Sequence, residues 1–268
     1  ASVFAGEDGA TLQLTRRGAF AHAQVLSQIG RDDAALELLD AGFPGSADPA
    51  IVALRERLEA GERVPFTLLD SPLDGLAEVF YSVGGLLSGQ SAPGGYVLLY
   101  ARIAQFLDPD HTDAILLAAG LLEEQEQYTL ATEAYDEVAR DDPAFHAAEM
   151  GRAAALRASG RVEAAIEVLE QLAETHGQLP LVHTTLGDVL RSQQRFDEAV
   201  EAYDAAIALF DEDRPGAWFV YYVRGICHER QDRWPEAEAD FRKALELNPG
   251  QPQVLNYLGY SFVEMETN

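Results

Sequence analysis

The side chains best suited to chemistry in this chain are few, and their spacing does not assemble a reaction centre. Six histidines (His22, His111, His146, His176, His183 and His228) and a single cysteine, Cys227, are the candidate metal ligands and nucleophiles. A metallopeptidase helix needs two histidines four apart beside a glutamate, and a structural zinc site needs ligand pairs at short spacing. Neither pattern occurs, and the Cys-His-Glu-Arg stretch from Cys227 to Arg230 lacks ligand spacing. The run from Asp108 to Asp113 mixes carboxylates with His111, but it falls at a helix boundary, where an aspartate is expected as a cap. The pair Gly84-Gly85 has no phosphate-loop pattern around it and reads as a close helix crossing. Cys227 lies in an apolar helix and reads as a packed thiol, unable to form an intrachain disulfide. No nucleophile elbow and no paired-cysteine motif is present. The chain therefore reads as a non-enzyme with no catalytic residue, no cofactor and no metal.

The elements that would position any functional side chain are helices, and they recur. Units of similar pattern begin at Thr112, His146, Pro180, Trp218 and Pro252, at steps of 34, 34, 38 and 34 residues. A fixed period of this size predicts stacked supersecondary units rather than one globular core. The unit at Trp218 carries Gly225, Ala237, Phe241, Ala244 and Pro249 as anchors. The unit at Pro180 carries Leu186, Gly187, Ala199, Tyr203 and Ala206. The unit at Thr112 carries Ala119, Ala131, Tyr135, Val138 and Pro143. The last keeps Leu258, Gly259 and Phe262 before the chain stops. The pairs Gly160-Arg161 and Gln194-Arg195 mark turns inside units. His183 and His228 occupy first-helix positions 4 and 11, where packing is expected.

This pattern resembles the tetratricopeptide repeat (TPR), with a small residue at position 8, alanine at 20, an aromatic at 24, alanine at 27 and proline at 32. The resemblance implies an all-α fold, a right-handed superhelical α-solenoid of antiparallel helix pairs. Small residues at 8 and 20 would let the paired backbones approach, and the aromatic at 24 would fill the gap to the next unit. Proline at 32 ends the second helix, since it offers no helical N–H. The unit at His146 departs from the pattern, with Arg152 where leucine is usual and Leu169 where the aromatic is usual. Residues 210–217 add four residues before Trp218, an insertion that loops tolerate cheaply.

Residues 1–110 read as a degenerate TPR-like region. One unit starts near Arg16, with a Gly30-Arg31 turn and Ala35 in place. An extra helix is expected over 48–61, with Asp48 as N-cap and Pro49 at the first helical position. An extended linker, 64–72, follows, and then a helical pair in which Ala101, Ala104 and Pro109 match positions 24, 27 and 32. Residues 112–268 are the regular units, the last of them truncated.

The net charge of −26, from 45 acids and 19 bases, disfavours nucleic acid and anionic membrane surfaces as partners. It would steer basic segments toward the protein. The longest apolar run, 114–122, is far short of the roughly 20 residues a membrane helix needs, so no direct membrane insertion is expected. The compartment stays open between cytoplasm and periplasm. Both ends read as cuts, and further repeats are expected beyond Asn268. The last helix, 252–266, is apolar on most sides and is expected to pair with another copy through its open face.

In TPR stacks the first helices line the concave surface, and the resemblance places positions 2, 5, 9 and 12 in the groove. Here these give Thr184, Asp188 and Arg191; then Phe219, Tyr222, Ile226 and Glu229; then Gln253, Asn256 and Tyr260. The mixture suits an extended peptide or a partner helix, although Phe219 and Tyr222 equally suit packing between repeats. The lysine and asparagine of carboxylate-clamp TPR domains are missing: position 5 reads Leu116, Met150, Thr184, Tyr222 and Asn256. The expected function is a protein-interaction scaffold that holds a protein or peptide, with bacterial cell-envelope assembly as its setting. Two alternatives are the targeting arm of a larger enzyme, such as a glycosyltransferase, and a structural repeat that self-assembles.

Overall fold

The computed structural model describes residues 16–45, 48–67, 69, 71–90, 93–210 and 215–266, with the backbone alone at 16, 17, 49, 215 and 260–266. Among the described residues there are fourteen α-helices, one short 3-10 turn and no strand. The helices are α1 (Arg16–Gln28), α2 (Asp32–Gly42), α3 (Pro49–Glu59), α4 (Pro72–Gly89), α5 (Gly94–Leu107), α6 (Thr112–Glu124) and α7 (Tyr128–Tyr135). They continue as α8 (Phe145–Ala158), α9 (Val162–His176), α10 (Pro180–Ser192), α11 (Phe196–Ala208), α12 (Trp218–Glu229), α13 (Trp234–Leu247) and α14 (Pro252–Glu266). The chain divides into two units: residues up to Leu121 with Glu137–Phe145, and Leu122–Asp136 with His146 onward.

In the second unit helix pairs stack in sequence. α10 packs along α11 and α12 along α13, while α9 meets α10, α11 meets α12 and α13 meets α14. The contact that sets the spacing inside a pair is a ring lying on a glycine. A Cβ added to Gly187 would stand 2.6 Å from Cε1 of Tyr203, and one added to Gly225 would stand 2.7 Å from Cε1 of Phe241. Both rings are fully buried. The aromatic at position 24 therefore seats first against position 8 of its own unit. Phe241 also reaches onward, with its ring centroid 5.9 Å from that of Tyr257.

Where position 8 is larger, the ring moves or shrinks. The unit with Ala119 at position 8 sends its Tyr135 ring against Gly151, on the next first helix. The unit with Ala153 at position 8 carries Leu169 in place of the aromatic, and Leu169 is fully buried. The variant residue Arg152 packs no core. Its guanidinium instead grips Glu149 on the same helix face.

Five helix-to-helix turns share one backbone design. Gly30, Glu126, Gly160, Gln194 and Asp232 all have left-handed φ, between 59° and 83°. The amide that follows each, from Arg31, Gln127, Arg161, Arg195 and Arg233, donates back five residues to a helix carbonyl at 2.8–3.0 Å. This is the six-to-one bond of a Schellman C-cap. Three of the five positions hold a side chain despite a cost of roughly 1–2 kcal/mol for the left-handed conformation. The recurrence extends to the turn between α1 and α2, so the first helical pair is built on the same plan.

In the first unit α1 packs on α2, α2 on α3 and α4 along α5. Asp48 caps α3, accepting from the Ala50 amide at 2.9 Å. The segment 62–67 is extended and strapped to α1. Ser27 accepts from the Val64 amide at 3.0 Å, Gln28 donates to the Val64 carbonyl at 2.6 Å, and Gln24 accepts from the Thr67 amide at 3.2 Å. Val64 is buried with Leu26, Leu54 and Leu58. The sequence suggests a linker here, and the structure shows a strap that closes the three-helix core. Gly84 is the close crossing of α4 and α5, with an added Cβ 3.3 Å from Cβ of Tyr100, whereas Gly85 faces open space.

Two substitutions test the turn and one tests the ring contact. Gly160→Ala should cost about 1 kcal/mol or more, while Asp232→Gly should gain up to about 1 kcal/mol, both read from urea unfolding midpoints. Gly225→Ala should destabilise by about 1–3 kcal/mol, because the Phe241 ring is buried and has no room to give. A neutral Gly225→Ala would show that the ring does not set the helix spacing.

Candidate protein-interaction surface

The first helices α10, α12 and α14 carry the residues expected to line a groove, and the structure sorts them into two groups. The first group is half-buried and engaged in contacts within the protein. The Tyr203 hydroxyl donates to Oδ1 of Asp188 at 2.8 Å, and Nε of Arg191 donates to the Tyr203 oxygen at 3.2 Å. Nη2 of Arg191 also donates to Asp188 at 3.3 Å. Burial, then the Asp188 charge, pushes the Tyr203 phenol far above its usual range, so it stays a neutral donor. Thr184 is half-buried and returns its hydroxyl to the Pro180 carbonyl at 2.9 Å. Ile226 packs against the core of Phe241 and Val254. Glu229 is half-buried, with Arg230 at 3.5 Å.

The second group comprises an aromatic ladder and two exposed amides on α14. Tyr222 stands at the centre, with ring centroids of Phe219 at 6.3 Å, Trp218 at 6.4 Å and Tyr257 at 5.7 Å. Tyr222 is half-buried, and burial, then Tyr257, raises its hydroxyl above the ordinary value. Phe219 remains 40% exposed at the ladder's edge, and Gln253 and Asn256 are exposed on α14. The side chain of Tyr260 lies outside the described residues. Sequence reasoning missed Trp218 and Tyr257, which sit one position away from those expected to face the groove. The i, i+4 spacing of Trp218 and Tyr222 was the available signal.

A buried ion cluster on the same helix also escaped notice. Arg224 clasps Asp240 through Nε at 2.8 Å and Nη2 at 2.6 Å, and reaches Asp204 of the preceding repeat at 2.5 Å. Asp240 is buried beside His228. Burial lowers the His228 pKa, with Asp240 opposing and Arg233 and Arg224 assisting. Cys227 is fully buried and its thiol is pushed up to about 11 by burial, as a packed side chain requires.

The Asp108–Asp113 run contains a cap, but the capping group is the histidine. Nδ1 of His111 accepts from the Ala114 amide at 3.1 Å, which leaves Nε2 to donate to Glu78 at 3.0 Å. A cavity of about 530 Å³ beside it is lined by Asp74, Asp108, Asp110, Asp113 and Asp142. Several of these carboxylates have backbone duties: Asp142 accepts from the Ala144 amide, Asp108 from the Asp110 amide and Asp74 from the Ser71 amide. Among the described residues no cluster of three or more metal-binding side chains is placed to hold an ion. Nor is any helix among them long and apolar enough to cross a membrane.

Tetratricopeptide-repeat family profiles match the sequence over residues 122–189 and 184–252. The crystal structure of MamA protein superposes with a TM-score of 0.54 at 20% identity, covering 64% of this chain and 91% of that one. MamA residues 41 to the end from Desulfovibrio magneticus RS-1 give 0.55 at 18%, covering 69% and 99%. YrrB, described as a TPR protein with an unusual peptide-binding site, gives 0.53 at 16%, covering 70% and 97%. No curated protein matches the sequence. At such identities the likeness is one of fold. The repeats and their surfaces thus define a helical protein-interaction scaffold. Residues 122–252 of this chain are tetratricopeptide repeats.

The buried imidazole gives this scaffold a pH dependence of known sign. A histidine held below its ordinary value near 6.5 is bound neutral in the fold, so the unfolded chain takes up more protons as pH falls through 6.5. Stability should therefore fall on acidification through that window. In His228→Gln the slope of melting temperature against pH should be shallower than in the unmodified protein.

Proposed function

We propose that the second unit binds an extended peptide or partner helix along α10, α12 and α14. The observation that carries this reading is the aromatic ladder of Trp218, Phe219, Tyr222 and Tyr257, open at Phe219, with Gln253 and Asn256 exposed on the same helix as Tyr257. Aromatic side chains that already pack on one edge lose little freedom when they bury the other. Amides beside them can fix the register of a main chain. The peptide-binding site described for YrrB, a protein of similar fold, supports the same reading.

Asp188 and Arg191 contribute mainly by fixing the groove wall, since Tyr203 occupies both. The direct contacts are Phe219, Tyr222, Gln253 and Asn256. The net charge of −26 favours a basic ligand and a rate of capture that falls with salt. The protein is, on this reading, a non-catalytic holder, and bacterial cell-envelope assembly is the setting in which we would first seek its partner.

An array of labelled lysine- and arginine-containing peptides, read by fluorescence anisotropy, tests the proposal. The peptides that bind should do so more weakly as salt is raised. Phe219→Ala and Asn256→Ala should each weaken binding by about fivefold or more, the range expected of interface anchors. Binding that survives both changes undiminished would remove this groove from the proposal.

A further inference from the structure

Among the described residues, exposed large apolar side chains concentrate in the other unit, on the α4–α5 hairpin. Leu76, Val79 and Leu86 on α4 are 49%, 58% and 67% exposed, and Tyr96, Leu99 and Phe106 on α5 are 62%, 53% and 84% exposed. Internal contacts fix which way the two stripes face. On α4, Phe80 and Gly84 meet Tyr100 of α5, while Tyr81 and Glu78 meet His111 at the start of α6. On α5, Val97, Ala101 and Ala104 are buried. At 100° per residue the exposed positions of both helices fall on the side of the hairpin remote from α6. The two stripes therefore form one continuous face.

This is the kind of face that a neighbouring repeat covers elsewhere in the chain. In the second unit the α10–α11 pair has α9 on one side and α12 on the other. Six large side chains, each about half exposed or more, offer an area on the order of the ~800 Å² that each partner brings to a standard interface. A monomer seldom leaves so much apolar surface open without a use for it.

Charge selects the occupant. Residues 72–107 contain three charged side chains, Asp74, Glu78 and Arg102, in a chain that otherwise holds 61. Asp74 is taken by the Ser71 cap, Glu78 by His111 and Arg102 by Gln105. Beside Phe106 stand Arg102 and Glu137, one charge of each sign, so the face is neutral on balance on a molecule of charge −26. A second copy of this chain meets both demands, because it presents the same neutral helix pair and keeps its acidic surfaces apart. A two-fold axis makes such a contact self-complementary.

We propose that the protein forms a two-fold dimer in which the α4–α5 hairpins of two copies pack face to face as four helices. This inference does not depend on the peptide groove, which lies in the other unit. It also differs from pairing through α14, where Leu255, 50% exposed, is the large apolar side chain left open among those described.

Light-scattering mass measured from sub-micromolar to high micromolar concentration tests the dimer. The unmodified protein should reach twice the chain mass. The double variant Leu86→Glu with Leu99→Glu should weaken the dimer by about a hundredfold or more, since it would bury carboxylates without partners. Its helical circular dichroism should be unchanged, because both positions are already exposed. Should the glutamates disturb folding, Leu86→Ser with Phe106→Ser serves the same purpose. A monomer at every concentration overturns the proposal, as does a dimer that both double variants retain. Loss of the dimer in Leu255→Glu alone overturns it in favour of α14. Flotation of the unmodified protein with neutral phosphatidylcholine vesicles, lost in the glutamate variant, overturns it in favour of a membrane surface.

Discussion

An aromatic ring pressed on a glycine governs the repeat. Tyr203 on Gly187 and Phe241 on Gly225 bring two helix backbones closer than any Cβ would allow. Close packing of this kind makes the spacing of each pair discrete, because interiors at crystal-like density do not deform continuously. Once each pair has a fixed thickness, the next stacks against it, α9 on α10, α11 on α12 and α13 on α14. The aromatic ladder on α12 and α14 exists because Phe241, the ring that seats on Gly225, also touches Tyr222 and Tyr257. The exposed rings of α12 and the buried core are therefore two edges of one aromatic cluster.

Polar groups refine this arrangement without driving it. Exposed ion pairs recur at one place, as Arg195 reaches Glu163 and Arg233 reaches Asp197, each to the preceding repeat. Pairs so exposed contribute little stability, commonly below about 1 kcal/mol. The Arg224 cluster differs, because Asp240 is buried and its desolvation must be offset by both guanidinium bonds. Through Asp204 the same guanidinium also bridges to the preceding repeat, a bond that a shifted repeat would lose. The Tyr203–Asp188–Arg191 network, one unit earlier, ties together the two helices of a single repeat.

The first unit shows the same turn chemistry put to another purpose. Its α1–α2 pair uses the left-handed turn at Gly30, but α3 and the strap from Val64 to Thr67 then close that core locally. Regular stacking stops there, and the α4–α5 pair keeps an apolar side that the strap does not cover. His111 ties this pair to α6 by capping one helix and bonding to another. One imidazole thus satisfies two elements, with its tautomer set by the amide it accepts.

Much of this was legible in the sequence, for local reasons. The period, the small and aromatic anchors and the absence of metal-ligand spacing pointed to a helical repeat, because each anchor acts at a fixed distance within its own unit. The Asp48 cap and the buried thiol of Cys227 were readable on the same grounds. The turn at position 15 was half visible: Gly160 announces a left-handed residue, whereas Glu126, Gln194 and Asp232 conceal one. The capping role of His111 was hidden, since the neighbouring Asp110 was the better local candidate.

What only the tertiary structure decided is how side chains far apart in sequence share space. Volume exchange shows this best, since Tyr135 turns to Gly151 of the following helix where Tyr203 stays at home on Gly187. The commitment of Asp188 and Arg191 to a buried phenol, the clasp of Arg224 on Asp240 and the open side of the α4–α5 hairpin are decisions of the same kind. A repeat sequence specifies its own unit through neighbours three, four and sixteen residues away. Which of its outward faces are covered depends on where the adjoining units come to rest, and that is set by packing across the whole chain.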